Sequence, residues 1–171
     1  MRNLDKRLFE TLYQQYFREL YLYVYSLCGQ KSMTEDILQE TFLKAFTALK
    51  DSHTNMRAWL YMVARNLCYN WMKKEKSLIF SEHVGLGEGI PAGHEDILKK
   101  IICNEERREL WEALEQLSEQ KREILVLQYF GGFRQKEIAA MLKLTPENVR
   151  VLAYRAKKEL KTYLEVKGYD V

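Results

Sequence analysis

Residues 135–150, Gln135-Lys136-Glu137-Ile138-Ala139-Ala140-Met141-Leu142-Lys143-Leu144-Thr145-Pro146-Glu147-Asn148-Val149-Arg150, read as two short helices joined by a tight turn. The second helix runs on as Val151-Leu152-Ala153-Tyr154-Arg155-Ala156-Lys157-Lys158-Glu159-Leu160. Thr145 suits the N-cap, Pro146 the first helical position, and Glu147 puts an acid in the first turn. Ile138, Ala139 and Leu142 are expected to face inward, with Leu144 and Val149 packed against them across the turn. Ala139 is small where two helices must approach closely. The outer side of the second helix then offers Asn148, Arg150, Val151, Tyr154, Arg155, Lys157 and Lys158. Arginine pairs bidentately with guanine, and Tyr154 or Val151 can touch a thymine methyl. Lys157, Lys158 and Lys161 suit phosphates. A solvated basic helix is the plainer reading. The cap, the helix lengths and the small inward residue together favour a helix-turn-helix directed at a DNA major groove.

Working outward, the rest of the chain is also helical in pattern. Residues 4–27 carry Leu8, Leu12, Tyr16, Leu20, Tyr23 and Leu27 at helical spacing, with Phe9, Tyr13 and Phe17 beside them. Gly29 fits a helix stop, and Ser32 or Thr34 is the expected cap of the next helix. Residues 35–49 place Ile37, Leu38, Phe42, Phe46 and Leu49 on a core face. Lys50 to Met56 has turn formers and no periodicity, so it reads as a loop. A third helix is expected from Arg57 to Lys74. Between Ser77 and Pro91 the pattern collapses among closely spaced glycines, which marks a flexible linker. Helical pattern resumes near His94 and runs to Leu117. Ser118 is the expected N-cap of a helix over 119–130, which Gly131-Gly132 should end. The last four residues are expected to fray. The fold class expected is all-α: two small helical domains joined by a flexible linker, the C-terminal one a helix-turn-helix.

Composition fits that architecture. The 171 residues are 47% apolar and 30% charged, with 2 prolines and 8 glycines, as in a folded helix-rich chain. No apolar run nears the ~20 residues that span a bilayer, and the N-terminus leads into no apolar signal core. Direct membrane insertion is therefore not expected, and the expected location is the cytoplasm. Cys28, Cys68 and Cys103 form no C-x-x-C pair, so reduced thiols packed as small hydrophobes are expected. His53, His83 and His94 lie apart in expected loops. Neither a metal site nor a cofactor is expected. Net charge is only +3, but it is unevenly spread. Residues 57–76 carry +4, residues 77–105 carry −3, and residues 145–162 carry +3. The two basic islands are suited to phosphate backbones and the acidic spacer is not.

The first island is Arg57-Ala58-Trp59-Leu60-Tyr61-Met62-Val63-Ala64-Arg65-Asn66-Leu67-Cys68-Tyr69-Asn70-Trp71-Met72-Lys73-Lys74. Flat aromatic and amide groups beside cations suit unstacked bases and single-stranded backbone. Trp59, Val63 and Leu67 are read first as core, leaving Arg65, Asn66, Asn70 and Lys73 available.

Three segments carry a resemblance to a family. They are residues 35–46 (Glu35-Asp36-Ile37-Leu38-Gln39-Glu40-Thr41-Phe42-Leu43-Lys44-Ala45-Phe46), residues 57–66, and residues 117–130 (Leu117-Ser118-Glu119-Gln120-Lys121-Arg122-Glu123-Ile124-Leu125-Val126-Leu127-Gln128-Tyr129-Phe130). In order and spacing they resemble bacterial RNA polymerase sigma factors of the extracytoplasmic-function group, over roughly residues 8–76 and 105–164. The resemblance implies region two at 1–76, a linker at 77–104 and region four at 105–171. It implies a promoter-specificity subunit, not an enzyme. Asp36, Gln39, Glu40 and Phe42 would dock on the clamp helices of the polymerase beta-prime subunit, with the beta subunit as a further partner. Asp51, Ser52, His53, Thr54 and Asn55 would form the loop that captures a base flipped from the minus-ten element. Trp59, Tyr61, Arg65, Asn66, Asn70 and Lys73 would line the melted single strand. Asn148, Arg150, Val151, Tyr154, Arg155, Lys157 and Lys158 would read the minus-thirty-five element in duplex promoter DNA. An anti-sigma factor is an implied partner. Two residues depart from the family pattern: Asn70, where many relatives have an acid, and Lys143, where glycine is usual in the turn. An autonomous helix-turn-helix regulator, binding DNA without polymerase, is the alternative. A nuclease is less favoured, because no carboxylate or metal-ligand cluster is visible.

Overall fold

The computed structural model describes residues 3–48, 55–79 and 105–170. Among them are seven α-helices and no strand. They are α1 (Asn3–Cys28), α2 (Lys31–Ala48), α3 (Met56–Ile79), α4 (Glu105–Glu115), α5 (Glu119–Tyr129), α6 (Gln135–Leu142) and α7 (Pro146–Val166). The chain divides into two compact units, 1–90 and 91–171. The expected all-α class is borne out.

In the first unit α1, α2 and α3 each pack on the other two. The second half of α1 is the centre of this core. Leu20, Tyr21, Leu22, Tyr23 and Val24 are all buried, so the helix is covered on every side there. Its first half is covered by rings instead. Phe9 meets Phe46 edge-on at 5.4 Å, and Tyr13 lies 4.9 Å from Phe42 and 4.8 Å from Phe17. Such pairs add ~0.5–1.5 kcal/mol each beyond the area they bury. Gly29, at φ 67°, closes α1. The expected cap of α2 is not used. α2 begins at Lys31, so Ser32 and Thr34 lie inside it, and the Thr34 hydroxyl donates back to the Gln30 carbonyl at 2.7 Å. That hydroxyl also stands 3.3 Å from the Cys28 sulfur.

α3 differs from expectation at both ends. Met56, expected in the loop, is its first residue, and it runs to Ile79, five residues past Lys74. Its buried stripe is Leu60, Tyr61, Ala64 and Cys68. Trp59, Val63 and Leu67 are half-buried at its flanks. The core side of the helix is thus turned about one residue from the apolar stripe read in the sequence. Small Ala64 and Cys68 let α3 approach its neighbours, whereas the larger Trp59 and Leu67 stand at the seam.

The second unit is built around α7, which contacts α4, α5 and α6. Leu114, Leu117, Leu125 and Ala156 form one buried cluster, with Leu110, Trp111 and Leu160 against it. Ser118 caps α5 as expected, accepting from the Lys121 amide at 3.4 Å. Gly131 is required at the end of that helix, because a Cβ there would stand 2.6 Å from the Leu127 carbonyl oxygen. That carbonyl instead accepts from the Phe133 amide at 3.1 Å. Lys121 on α5 pairs with Glu159 on α7. In the tail expected to fray, the Gly168 and Tyr169 amides donate to the Glu165 and Leu164 carbonyls, each at 3.0 Å.

Candidate nucleic-acid interface

The helix-turn-helix stands as expected. The Arg134 amide donates to the Glu137 carboxylate at 2.7 Å, starting α6. Thr145 caps α7, its hydroxyl accepting from the Asn148 amide at 3.2 Å, with Pro146 following. Between them Lys143 takes the left-handed conformation, φ 56° and ψ 43°. It is the one non-glycine residue with positive φ among the described residues. The Leu144 amide then closes the turn on the Ala139 carbonyl at 2.9 Å. Inward-facing residues are Ile138, Ala139, Met141, Val149 and Ala153. Met141 replaces the expected Leu142, which is only half-buried.

Every residue proposed from sequence on α7 is exposed: Asn148, Arg150, Val151, Tyr154, Arg155, Lys157 and Lys158. Tyr154 is 67% exposed. Arg150, Tyr154 and Lys158 follow at four-residue steps, so they form one ridge, with Val151 and Arg155 on the next. Lys157 differs. Its ammonium lies 5.2 Å from the Tyr129 ring centroid, at the border of the basic face. It also lines an apolar cavity of about 460 Å³ bounded by Leu110, Leu114, Leu125, Tyr129, Phe130 and Leu160 among others.

In the first unit the sequence-derived residues divide. Asp51, Ser52, His53 and Thr54 lie outside the described residues. Asn55 is the cap of α3, its side-chain oxygen accepting from the Ala58 amide at 3.1 Å. Asn66, Asn70 and Lys73 are exposed, and Trp59 is half-exposed on the same side of the helix. Their spacing of seven, four and three residues keeps them on one face. Arg65 is half-buried beside that face, its guanidinium 4.5 Å over the Tyr69 ring.

Tyr61 does not belong to this surface. It is only 1% exposed and packs 5.0 Å from the Tyr23 ring. Its hydroxyl donates to Glu19 Oε2 at 3.2 Å. Glu19 in turn accepts a two-pronged contact from Arg57, Nε to Oε1 at 3.2 Å and a terminal nitrogen to Oε2 at 2.9 Å. Burial, then the Glu19 charge, push the Tyr61 phenol well above the usual tyrosine range, and Arg57 only partly offsets them. The hydroxyl therefore stays protonated and a donor. The group of Glu19, Arg57 and Tyr61 ties the start of α3 to α1. Sequence reading missed Glu19, because a single acid on an aromatic helix has no local mark of its partner.

The acidic face on α2 divides likewise. Asp36, Gln39 and Glu40 are exposed. Phe42 is 2% exposed and sits among Phe9, Tyr13 and Phe17, so it is core and not surface. The apolar residue on the acidic side is Leu43, 58% exposed. The signal was available: Leu43 lies three, four and seven residues from Glu40, Gln39 and Asp36, whereas Phe42 falls on the apolar stripe with Ile37 and Leu38. Glu40 and Lys44 approach to 3.8 Å, but both are more than half exposed, so the pair adds little.

Comparison with known proteins agrees with this arrangement. Residues 12–78 match the family described as Sigma-70 region 2, and residues 107–160 match Sigma-70, region 4. The RNA polymerase sigma factor YlaC of Bacillus subtilis is 29% identical over 155 residues, covering 89% of each chain. The ECF RNA polymerase sigma factor SigM of the same organism is 26% identical over 159 residues, covering 89% of this chain and 92% of its own. A solved structure of the sigma factor RpoE in complex with the anti-sigma factor NepR, from Bartonella quintana, is similar in fold. Its TM-score is 0.73 at 24% identity, covering 92% of this chain and 97% of that one. A region 2 in the same chain as the helix-turn-helix does not favour an autonomous regulator. The chain belongs to the sigma-70 family, in its extracytoplasmic-function group, and is a promoter-specificity subunit of RNA polymerase.

Proposed function

We propose that the two units divide the promoter between them, with residues 1–76 as the core-docking and minus-ten unit, 77–104 as linker and 105–171 as the minus-thirty-five unit. The observation that carries this reading is the pair of exposed faces, Trp59, Asn66, Asn70 and Lys73 on α3 and Arg150, Val151, Tyr154, Arg155 and Lys158 on α7. The first mixes an indole and amides with a cation, which suits unstacked bases and single-stranded backbone. Arg65 borders it. The second offers arginines for base edges and lysines for phosphates. Reading duplex DNA needs a major-groove helix, and holding DNA open needs groups that replace lost stacking. Two separate surfaces meet those demands.

Docking on the beta-prime clamp helices falls to Asp36, Gln39 and Glu40, with Leu43 in place of Phe42. An exposed leucine ringed by polar groups is a compact anchor of the kind interfaces use. The apolar cavity beside Tyr129 and Phe130 is a suitable seat for a helix of the beta subunit. The polymerase complex implies a cytoplasmic location. No helix among the described residues is long and apolar enough to cross a membrane. An anti-sigma partner is in keeping with the RpoE–NepR complex.

The test is to mix the purified chain with core RNA polymerase and a promoter from its own genome. A stable complex that starts promoter-dependent transcription is expected. Failure to bind core, with tight binding of the chain alone to duplex DNA, would overturn the division proposed. A Glu40→Lys variant should bind core more weakly, by reversing charge on the docking face. Unchanged capture by core polymerase would remove Glu40 from it.

A further inference from the structure

A polar groove lies between α1 and the start of α3, apart from the exposed face of α3. Gln15, Tyr16, Arg18, Glu19, Leu22 and Arg57 line it, and its volume is about 430 Å³. That is within the ~300–1,000 Å³ of small-ligand sites. Its floor is apolar, because Leu22 is buried. Tyr16 is half-buried, so part of its ring is left as a wall. Gln15 and Arg18 are exposed. No hydrogen bond or ion pair ties either of them to another described residue.

The charges of the groove are unevenly matched. Glu19 follows Arg18 in sequence but is bound by Arg57, at 2.9 Å. Arg18 is thus left as the cation without a counter-charge. Glu19 also keeps some capacity to accept. A carboxylate has about four acceptor sites. Arg57 fills one on each oxygen, and the Tyr61 hydroxyl fills a second on Oε2. One site on Oε1 stays open, and the Glu19 side chain is 22% exposed.

We propose that this groove takes one unstacked nucleotide of the melted promoter strand, with a base that carries an exocyclic amino group. The proposal rests on the reading of α3 as the single-strand face, which ends at Trp59, in the same first turn as Arg57. Arg18 holds the phosphate, in a charge-assisted contact. The base lies on Leu22 and against the Tyr16 ring, which replaces part of its lost stacking. The Gln15 amide offers the base edge a donor and an acceptor side by side. The open site on Glu19 only accepts, so it favours adenine, cytosine or guanine over thymine, which has no amino group. Gln15, Arg18 and Glu19 then determine specificity from α1, beyond the residues on α3.

The experiment titrates holoenzyme, formed from the chain and core polymerase, with fluorescein-labelled single strands. They cover the minus-ten region of a promoter it transcribes, with each position in turn changed to thymine. In the wild type, one amino-bearing position should lose about fivefold or more on that change. Gln15→Ala should abolish the loss at that position and leave the others. Arg18→Ala should weaken every strand alike and lower the salt slope by about 0.7, and Arg18→Lys should recover most of the affinity. Neither side chain is bonded within the fold, so the variants should keep the wild-type Tm. Asn66→Ala and Lys73→Ala are run in parallel on the α3 face. If these two weaken strand binding while Gln15→Ala and Arg18→Ala match the wild type in affinity and base preference, the groove is overturned and the α3 face stands. If no variant changes strand binding, both fall. A free nucleotide has the same chemistry, so AMP alone is the second probe. Binding of AMP that depends on Gln15, with strand binding independent of it, would also overturn the proposal.

Discussion

At the scale of single residues, Lys143 carries a cost that its neighbours impose. A left-handed backbone costs a residue with a Cβ ~1–2 kcal/mol, and glycine escapes it. Glycine also gives the unfolded chain more freedom, which costs ~0.4–1 kcal/mol. Lys143→Gly should therefore stabilise the second unit by a net few tenths to ~1 kcal/mol, read by urea denaturation. Lys143→Val should destabilise it. Equal stabilities for the two variants would show that the turn relaxes. Tyr61 is the opposite case, a residue that looked like a base-stacking ring and is a buried donor. Tyr61→Phe removes one hydrogen bond to a charged acceptor and should cost ~1.5–3 kcal/mol of stability. Recognition of the minus-ten element, measured on prefolded protein in the cold, should be unchanged. Selective loss of that recognition with unchanged stability would return Tyr61 to the surface proposed from sequence.

At the scale of elements, α2 and α7 each have an exposed face, proposed to bind, and a core face. On α2 the two meet at adjacent residues. Phe42→Ala should cost ~3–5 kcal/mol, because it empties the ring cluster. Leu43→Ala should change stability by less than ~0.5 kcal/mol and yet weaken capture by core polymerase. A stability scan and a pull-down on both variants separate the roles, and the reverse pattern would exchange them. On α7, Arg150→Ala or Arg155→Ala should each weaken binding to the upstream element by ~1–3 kcal/mol if the lost contact is bidentate. Lys158→Ala should weaken all sequences alike and flatten the dependence on salt. Titrations on matched and scrambled duplexes distinguish these outcomes. Helix identity and most caps were legible from sequence, because periodicity and capping are local. The turn of α3 about its axis was not. Trp59, Val63 and Leu67 are larger and more apolar than Ala64 and Cys68, so hydropathy points to them. Close helix contact selects the smaller residues.

At the scale of the whole molecule, the two units have separate cores, and each proposed surface lies within one unit. Changes in different units that share no partner should add. Glu40→Lys with Arg155→Ala should therefore lower promoter-complex formation by the sum of the two single effects, within ~0.5 kcal/mol. A coupling well above that would show that docking and upstream recognition act through one another. The acidic stretch between the basic islands is consistent with a connection kept off the DNA backbone by charge.

What the sequence by itself determined was the all-helical class, the division into two helical units, the helix-turn-helix and the basic face of α7. All of these rest on local signals: apolar period, caps, turn residues and charge. The family resemblance followed from the same segments. The buried side of α2 was also legible, in Ile37, Leu38 and Phe42, but only the tertiary structure decided which side of α3 is buried. It kept Phe42 on the core face that its periodicity gave and not on the docking surface that the resemblance implied, placed Tyr61 in the core, and left Leu43 exposed beside Asp36, Gln39 and Glu40. It also joined Glu19 to Arg57 across α1 and α3. The physical reason is common to all of them. Each depends on how one helix is rotated against another, and that rotation is set by the fit of side chains distant in sequence.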